Sequence, residues 1–295
     1  MANSSPNLVK KFFEYLVEYG PKDTLQRSSS SIAVSLFRAM FHKRVEPTLT
    51  YLSQHALSMH TSAQEIVSRY LLSSAESPAV LASLQQEHAE LEQEIASRYQ
   101  AADALPYPVN WGVEKASSFL VYAIVRILQP KIMVETGVAN GVSSFFILHA
   151  MRRNGKGTLV SVDIDPRAGC LLADHERQQW DFKRLKSPFK RNFAAILAAL
   201  GPIDVFLHDS DHWYGWTEFE FQCALPRMNS DAVLICDDAD SSLAFADLCR
   251  QRHFNAVYLV DTRKVFAFAL LGAPCSNVGV PASRLSQAVG AHSTP

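Results

Sequence analysis

Between residues 130 and 240 the sequence alternates short apolar runs with segments of helical spacing, and this alternation limits the possible folds more than any other feature. Each run ends in an acidic or polar residue, and the runs are Ile132–Glu135, Leu159–Asp163, Asp204–His208 and Ala232–Asp237. Strands that alternate with helices predict a parallel sheet covered by helices on both faces. Ligands of such sheets bind at the carboxyl ends of the strands, which is where the polar residues cluster.

Two further apolar runs, Asn255–Val260 and Val265–Leu271, are separated only by Asp261–Lys264. Four residues cannot form the crossover that parallel strands require, so these two runs predict an antiparallel hairpin. The expected fold is therefore α/β, with a mostly parallel sheet that is closed by an antiparallel strand.

The first hundred residues have a helical pattern instead. Apolar residues recur at helical spacing between Leu8 and Val17. Ser62–Glu65 predicts a capping box that opens a helix through Leu72. Ser77–Pro78 opens a longer helix, whose apolar stripe comprises Leu81, Leu84, His88, Leu91 and Ile95. We expect this stripe to pack against neighbouring helices or against a second subunit.

These patterns divide the chain into three parts. Residues 1–105 predict an N-terminal helical region that covers the acceptor side of the site or forms a homo-oligomer. Residues 106–271 predict the α/β domain. Residues 272–295 are rich in Gly, Pro, Ser and Ala and predict a flexible tail.

Charge and composition exclude some classes of partner. The formal net charge is −1, which argues against nucleic acid. No run approaches the ~20 apolar residues of a membrane helix, and the N-terminus lacks the apolar core of a secretory signal. The cysteines form no C-x-x-C pair and favour a reducing cytoplasm; they are Cys170, Cys223, Cys236, Cys249 and Cys275. We therefore expect a soluble, cytoplasmic protein without a membrane partner.

The strongest motif is Val134–Ser144, which leads from a predicted strand through a glycine-containing turn into a helix. Glycines let the backbone approach a ligand closely, and the helix N-terminus offers free N–H groups to a carboxylate. A nicotinamide dinucleotide would favour G-x-G-x-x-G, but of those three positions only Gly137 is glycine. Asp163 ends the next strand and can accept hydrogen bonds from both ribose hydroxyls. The pair predicts a nucleoside cofactor; the alternative is an ordinary strand–turn–helix with a capping aspartate.

The spacing Glu135-x-Gly137-x-x-x-Gly141 resembles the first motif of class I S-adenosylmethionine (SAM)-dependent methyltransferases. The resemblance extends over about residues 108–271. It implies a Rossmann-like fold, with a mostly parallel seven-stranded sheet that has an antiparallel terminal hairpin, and it implies SAM as the cofactor. The cofactor-binding residues that it implies are Glu135, Gly137, Asn140, Gly141, Ser143, Asp163, Ser187 and Asp209.

The same resemblance gives several of these residues a role. The glycine motif shapes the methionine pocket, Ser143 lies near the methionine carboxylate, and Asp163 holds the ribose. Ser187 is the expected adenine contact. Here the chain departs from the family, because Lys186–Phe189 replaces the Gly-Asp-Ser type of sequence that usually follows the third strand.

A second group of polar residues follows the fourth and fifth predicted strands, in His208–His212 and Cys236–Asp240. Adjacent parallel strands would bring these two ends together, and converging carboxylates repel one another unless a cation neutralises them. A divalent cation with oxygen ligands, such as Mg²⁺, is the usual solution. Asp209, Asp237 and Asp238 therefore predict a metal site. The alternative is a set of solvated acids at loop starts, one of which caps the next helix.

This arrangement resembles metal-dependent O-methyltransferases, both the catechol type and those of natural-product and sugar pathways, with a cephalosporin hydroxylase-like group among them. In these enzymes an aspartate follows the fourth strand and an acidic or amide pair follows the fifth, as do Asp209, Asp237 and Asp238 here. His212 lies where catechol-type enzymes have a catalytic lysine. The resemblance implies that Asp209 and His212 are catalytic, with His212 as the base, since an imidazole of pKa about 6.5 suits proton removal. Alternatively, His212 orients Asp211.

The sequence thus predicts a SAM-dependent enzyme that methylates a hydroxyl of a small molecule, such as a natural product, with the help of Mg²⁺. Some nearby aromatic residues are expected to line an acceptor pocket and others to be core; they are Tyr107, Trp111, Trp213, Tyr214 and Trp216. Three alternatives stay open. They are a metal-independent N- or C-methyltransferase, a nicotinamide-dependent oxidoreductase, and a binding protein without catalysis.

Overall fold

One sheet of eight strands runs through the computed structural model, which describes residues 59–73 and 77–272. The strands are β1 (Met59–His60), β2 (Ile132–Thr136), β3 (Thr158–Asp163), β4 (Trp180–Arg184), β5 (Ile203–His208), β6 (Met228–Cys236), β7 (Asn255–Val260) and β8 (Val265–Leu270). Their order across the sheet is β1-β7-β8-β6-β5-β2-β3-β4. Neighbouring strands are parallel, except that β8 is antiparallel to both β6 and β7.

The terminal hairpin is confirmed, since Val260 pairs with Val265 across the four-residue turn. The mostly parallel α/β fold is confirmed as well. The strand count differs from the predicted seven, because the two-residue strand β1 pairs with β7 at the sheet edge, with Met59 opposite Tyr258. A strand of two residues is too short to produce the alternating pattern by which strands are recognised in sequence.

Seven α-helices occur in the described residues and cover both faces of the sheet. They are α1 (Ala63–Ile66), α2 (Ser77–Ala101), α3 (Lys115–Leu128), α4 (Val142–Asn154), α5 (Phe189–Ala198), α6 (Tyr214–Ala224) and α7 (Ala244–Arg252). Helices α1 to α4 share one apolar core with one face of the sheet, and α5 to α7 share a second core with the other face.

Successive strand residues point to opposite cores. In β2, Met133 belongs to the core under α1 to α4, and Val134 belongs to the core under α5 to α7. Because both faces are covered, a central strand such as β2 is buried along most of its length, and buried strands are usually apolar. Its only buried acid, Glu135, therefore stands out as a residue with a special task.

The described part of the N-terminal region packs directly on the α/β domain. Ser62 caps α1, because its Oγ accepts a hydrogen bond from the Glu65 backbone N–H at 3.2 Å. The stripe of α2 is buried in the same core as α3 and α4, as the simpler interpretation predicts; its buried members are Leu84, His88, Leu91 and Ile95. The predicted helix between Leu8 and Val17, the predicted oligomer contacts before residue 59, and the tail beyond residue 272 lie outside the described residues.

Among the residues that the structure describes, none of the helices combines the length and the hydrophobicity that a bilayer crossing requires. The predicted absence of nucleic-acid partners and the predicted cytoplasmic location stay predictions.

Candidate functional site

The carboxyl ends of β2, β3, β5 and β6 border a single cavity of about 920 Å³. The loop after β2, the loop after β5 and the turn between β7 and β8 all contribute to its wall. The cavity therefore lies where a parallel sheet is expected to bind its ligand. It also brings the two predicted constellations, the glycine loop and the acid loops, to one place.

The glycine loop has a conformation that a side chain would not permit. Gly137 has φ +76°, and a Cβ built on it would lie 2.0 Å from the carbonyl oxygen of Asp209. Gly141 has φ +94° and caps α4; a Cβ there would lie 2.9 Å from the Cα of Gly169. The first glycine lets the loop after β2 lie against the loop after β5. The second opens the N-terminus of α4, where Ser143 lines the cavity.

Glu135 lies beneath this loop rather than at the cavity wall. Its Oε2 accepts hydrogen bonds from Ser144 Oγ at 2.5 Å and Ser161 Oγ at 2.7 Å, while its buried Oε1 has no partner. Complete burial raises the pKa of Glu135, although neighbouring serine hydroxyls oppose the shift. The side chain thus connects the start of α4 to β3, and it shapes the pocket from below.

Asn140 also fixes the loop, because its Nδ2 donates a hydrogen bond to the carbonyl of Tyr107 at 3.0 Å. This contact holds the segment before α3 over the cavity. Asn140 is itself buried. Asn140 also lines the cavity, so its predicted role in cofactor binding stays a prediction beside this structural one.

Asp163 ends β3 at the cavity wall, as predicted. Its Oδ2 accepts a hydrogen bond from the Val138 N–H at 2.8 Å, and its Oδ1 accepts one from the Asp165 N–H at 2.9 Å. Oδ2 also accepts a hydrogen bond from the Ala139 N–H at 3.4 Å. Oδ1 keeps a second lone pair, so that the group can still accept from a ligand.

Ser187 is not part of the cavity. It is exposed, and the neighbours that line the cavity in its place are Leu185 and Phe189. The predicted adenine contact is therefore not supported at Ser187. The sequence Lys186–Phe189 differs from the family pattern at this point. The cavity wall here consists of the apolar side chains of Leu185 and Phe189.

The acid loops meet as predicted. β5 and β6 are adjacent with His208 opposite Cys236, so that Asp209 and Asp237 leave the sheet side by side. Burial raises the pKa of Asp209 well above its usual range, and the neighbouring carboxylate of Asp237 adds to this shift. Asp238 has φ +49° and lines the cavity together with Asp209.

Lys264 is the residue of this site that sequence reasoning missed. Its Nζ bonds to Oδ2 of Asp237 and lies 3.6 Å from Oδ2 of Asp238. Burial by itself would lower the pKa of Lys264, but the charges of Asp237, Asp209 and Asp238 raise it. Oδ1 of Asp237 is buried without a partner. The cluster thus contains a cation of its own, which the sequence interpretation did not consider.

The turn that bears Lys264 is held by two contacts to the start of α3. Oδ2 of Asp261 accepts hydrogen bonds from the backbone N–H and the hydroxyl of Ser117, at 2.8 and 2.7 Å. Arg263 donates from Nε to Glu114 at 2.5 Å. No local sequence signal indicates that a hairpin turn should reach the acid cluster. It does so because β8 lies next to β6 in the sheet.

His212 follows Asp209 by three residues and lines the same cavity. Its Nε2 lies 3.2 Å from Oδ2 of Asp238, and its buried Nδ1 has no hydrogen-bond partner. Burial lowers the pKa of His212, against the opposing effect of Asp238. An imidazole that is neutral at pH 7 can accept a proton or bind a metal ion through its free nitrogen.

A buried carboxylate, Glu220 of α6, joins the two functional loops from below. Its Oε2 accepts hydrogen bonds from Thr136 Oγ1 and lies 2.7 Å from His208 Nδ1; its Oε1 accepts from Ser210 Oγ and Trp216 Nε1. His208 is thus part of this buried network. The network ties the end of β2 to the residues on either side of Asp209.

The predicted aromatic residues divide between pocket and core. Tyr107, Trp111 and Trp213 line the cavity, and the side chain of Trp111 is largely exposed. Trp216 borders the cavity but belongs to the core under α5 to α7. Tyr214 is exposed and donates a hydrogen bond to Asp247.

The donor set fits a divalent cation. Asp209, His212 and Asp238 each have one possible ligand atom, and these atoms lie within 4.8 Å of one another. Two carboxylates and one imidazole are common protein ligands of divalent ions.

Residues 134–239 match the family model described as "Methyltransferase domain". The matched stretch includes the glycine loop, Asp163 and both acid loops. The match confirms the predicted resemblance to SAM-dependent methyltransferases and the corresponding enzyme class. No curated protein matches the chain significantly.

Among solved structures, a methyltransferase from Geobacter sulfurreducens is 21% identical, with a TM-score of 0.46, over 64% of this chain and 89% of that chain. The O-methyltransferase TomG from Streptomyces achromogenes, involved in tomaymycin synthesis and bound to SAM, is 14% identical, with a TM-score of 0.47, over 79% and 99%. An O-methyltransferase from Bacillus cereus in complex with SAH is 14% identical, with a TM-score of 0.46, over 63% and 90%. These similarities are too distant to transfer a substrate or a metal to this chain.

Proposed function

We propose that this protein transfers the methyl group of SAM to a hydroxyl of a small molecule, with the assistance of a divalent cation at the acid cluster. The observation that carries the proposal is that one cavity contains both the glycine loop after β2 and the acids after β5 and β6. A cofactor site and a site that activates oxygen have to adjoin for methyl transfer, and here they share a wall at Gly137 and Asp209.

The residues on the cofactor side suit SAM. The open N-terminus of α4 and Ser143 would receive the methionine carboxylate, and Asp163 would accept hydrogen bonds from the ribose. The apolar side chains of Leu185 and Phe189 would contact the adenine, in the role that the sequence assigned to Ser187. The cavity volume of about 920 Å³ is large for a single small ligand, which leaves room for an acceptor beside the cofactor.

The acceptor would lie between the acid cluster and the aromatic wall of Tyr107, Trp111 and Trp213. A cation bound there would lower the pKa of an acceptor hydroxyl and so supply a better nucleophile at neutral pH. The task of the chain's own residues is to hold the acceptor oxygen in line with the methyl carbon and the sulfur. Such alignment can supply a large part of the reduction in the activation barrier. A natural product with neighbouring hydroxyls would suit this site.

A second form of the proposal rests on Lys264. Its ammonium group already neutralises part of the acid cluster, so that methyl transfer could proceed without a metal. His212 would then act as the base, with Asp238 orienting its imidazole through Nε2 and its free Nδ1 accepting the hydroxyl proton.

Calorimetric titration of the EDTA-treated protein with S-adenosylhomocysteine (SAH) tests the cofactor assignment. We expect micromolar binding that Asp163→Ala reduces by tenfold or more. A matched control is Asp181→Ala, since Asp181 lies on the neighbouring strand β4, pairs with Lys183 and is not part of the cavity wall. Absence of SAH binding by the folded wild-type protein would contradict the proposed function.

Methyl transfer from radiolabelled SAM to a panel of catechols and sugar diols, with and without added divalent cations, separates the two forms. Activity that requires a cation supports the first form. Activity that persists in EDTA, and that is lost in Lys264→Met, supports the second.

A further inference from the structure

The acid cluster has a donor arrangement that differs from the one its sequence pattern implies. The pattern assigns a metal to Asp209, Asp237 and Asp238. In the structure the converging ligand atoms belong to Asp209, Asp238 and His212. The imidazole therefore takes the place that Asp237 has in the sequence-based assignment.

Asp237 is paired with Lys264 and is not among the residues that line the cavity. Its side chain is only 1% exposed, and its Oδ2 bonds to the ammonium group of Lys264. Asp261 and Arg263 belong to the same hairpin turn as Lys264, and their contacts to the start of α3 fix the position of that turn. The ion pair is thus a fixed part of the fold, and Asp237 has one oxygen committed to it.

Three acids of this cluster surround the ammonium group of Lys264, namely Asp209, Asp237 and Asp238. Two buried polar atoms here have no partner, Oδ1 of Asp237 and Nδ1 of His212. Such atoms are costly in a folded protein, and both belong to residues of the acid cluster.

The donor chemistry points to a type of metal. Mg²⁺ favours an octahedral shell of oxygen atoms, whereas imidazole suits divalent transition metals. We propose that the cation of this site is a divalent transition-metal ion, bound by Asp209, Asp238 and His212, and that Mg²⁺ binds more weakly. This inference rests on the cation-assisted form of the proposed function, and it makes His212 a metal ligand rather than the base.

Mn²⁺ is a suitable probe, because electron paramagnetic resonance measures free Mn²⁺ during a titration and electron spin echo modulation detects a directly bound nitrogen. The EDTA-treated protein, saturated with SAH, is titrated with Mn²⁺ alone and then with Mg²⁺ as competitor. We expect Mn²⁺ to bind at least tenfold more tightly than Mg²⁺, with ¹⁴N modulation typical of one imidazole. His212→Ala should abolish that modulation and weaken Mn²⁺ binding on the order of tenfold or more.

Two variants serve as controls. Asp237→Asn keeps the shape of the side chain and leaves the three proposed donors in place, so the ¹⁴N signal should persist. His175→Ala removes an exposed imidazole from the other group of possible ligands, His149, His175 and Glu176. In that group Glu176 already accepts hydrogen bonds from Arg98 and from the Ala173 N–H and lies 2.6 Å from His149 Nε2. We expect the His175→Ala variant to bind Mn²⁺ as tightly as the wild-type protein.

The outcomes separate this inference from the function on which it rests. Bound Mn²⁺ without ¹⁴N modulation, or modulation that survives in His212→Ala, would overturn the donor assignment and leave a metal-assisted methyltransferase. If neither Mn²⁺ nor Mg²⁺ binds while SAH does, both the donor assignment and the cation-assisted form are refuted, and Lys264 is the only cation of the cluster. In each case SAH binding by His212→Ala establishes that the variant is folded.

Discussion

At Gly137 the chain has no space for a side chain. The residue has φ +76°, and the nearest atom to a built Cβ, 2.0 Å away, is the backbone carbonyl oxygen of Asp209. A side chain there would push apart the loops after β2 and β5. Those loops carry the proposed cofactor site and the proposed metal site, so that one backbone contact keeps both in register.

We therefore expect Gly137→Ala to impair cofactor binding as well as stability. The left-handed conformation costs about 1–3 kcal/mol for a residue with a side chain, and the clash with Asp209 adds to it. Gly155→Ala is the matched control, because Gly155 has φ +66° but open space around its Cβ. In urea unfolding both variants should lose stability. In SAH titrations only Gly137→Ala should lose affinity, by tenfold or more. Equal SAH affinities would refute the proposed coupling of the two loops.

Gly137 and Asp163 could be assigned from sequence because the motif is local, whereas other site residues could not. Lys264 has no motif, and it meets Asp237 only because the strand order places β8 beside β6. The role of Glu220 depends on contacts to Thr136 at the end of β2 and to His208 and Ser210 around the end of β5, and no spacing pattern encodes these contacts between segments. Ser187 was assigned from its position after a strand, and the structure moves the cavity wall to its apolar neighbours.

Among the elements, α2 buries a histidine where its apolar stripe meets α3 and α4. His88 is only 4% exposed, stacks on Phe146 with ring centroids 4.7 Å apart, and shares a hydrogen bond of 3.0 Å with Ser118 Oγ. Burial lowers the pKa of His88 to about 4 from its model-peptide value of 6.5, and the charge of Lys115 acts in the same direction. The contact between these helices therefore depends on a neutral imidazole.

Because the unfolded chain binds a proton on His88 more readily than the folded chain, stability should fall as the pH decreases from 6.5 toward 4. Between pH 7.5 and 5 this residue should account for about 2 kcal/mol of the loss in the free energy of unfolding. In urea unfolding, the free energy of unfolding of His88→Leu should therefore fall by about 2 kcal/mol less than that of the wild-type protein between pH 7.5 and 5. Ser118→Ala keeps the imidazole, so it should lower stability but keep the wild-type pH dependence. An unchanged slope in His88→Leu would show that the pKa of His88 is the same in the folded and the unfolded protein, which would refute the expected contribution.

On the scale of the whole molecule, the sequence predicts the sheet, and the described helices of the N-terminal region pack on that sheet. The parallel strands and the hairpin follow from run lengths and from a four-residue turn, both of which are local. The boundary at residue 105 follows from a change of sequence pattern from helical to alternating. In the structure, however, residues on both sides of this boundary pack into the same core. Leu84, Leu91 and Ile95 of α2 are buried in the same core as the sheet, and β1 extends that sheet.

The predicted α/β domain should therefore not fold by itself. A fragment of residues 106–295 would lack the helix that covers α3 and α4, and it would lose the pairs of Arg98 with Glu176 and of Glu87 with Arg126. Buried Glu176 would remain without its guanidinium partner, which is costly in addition to the exposed apolar surface. We expect the fragment to show no cooperative urea transition and no SAH binding. In the intact chain Leu91→Ala should cost about 2–5 kcal/mol and still bind SAH. A fragment that unfolds cooperatively and binds SAH would instead establish that the α/β domain folds without residues 1–105.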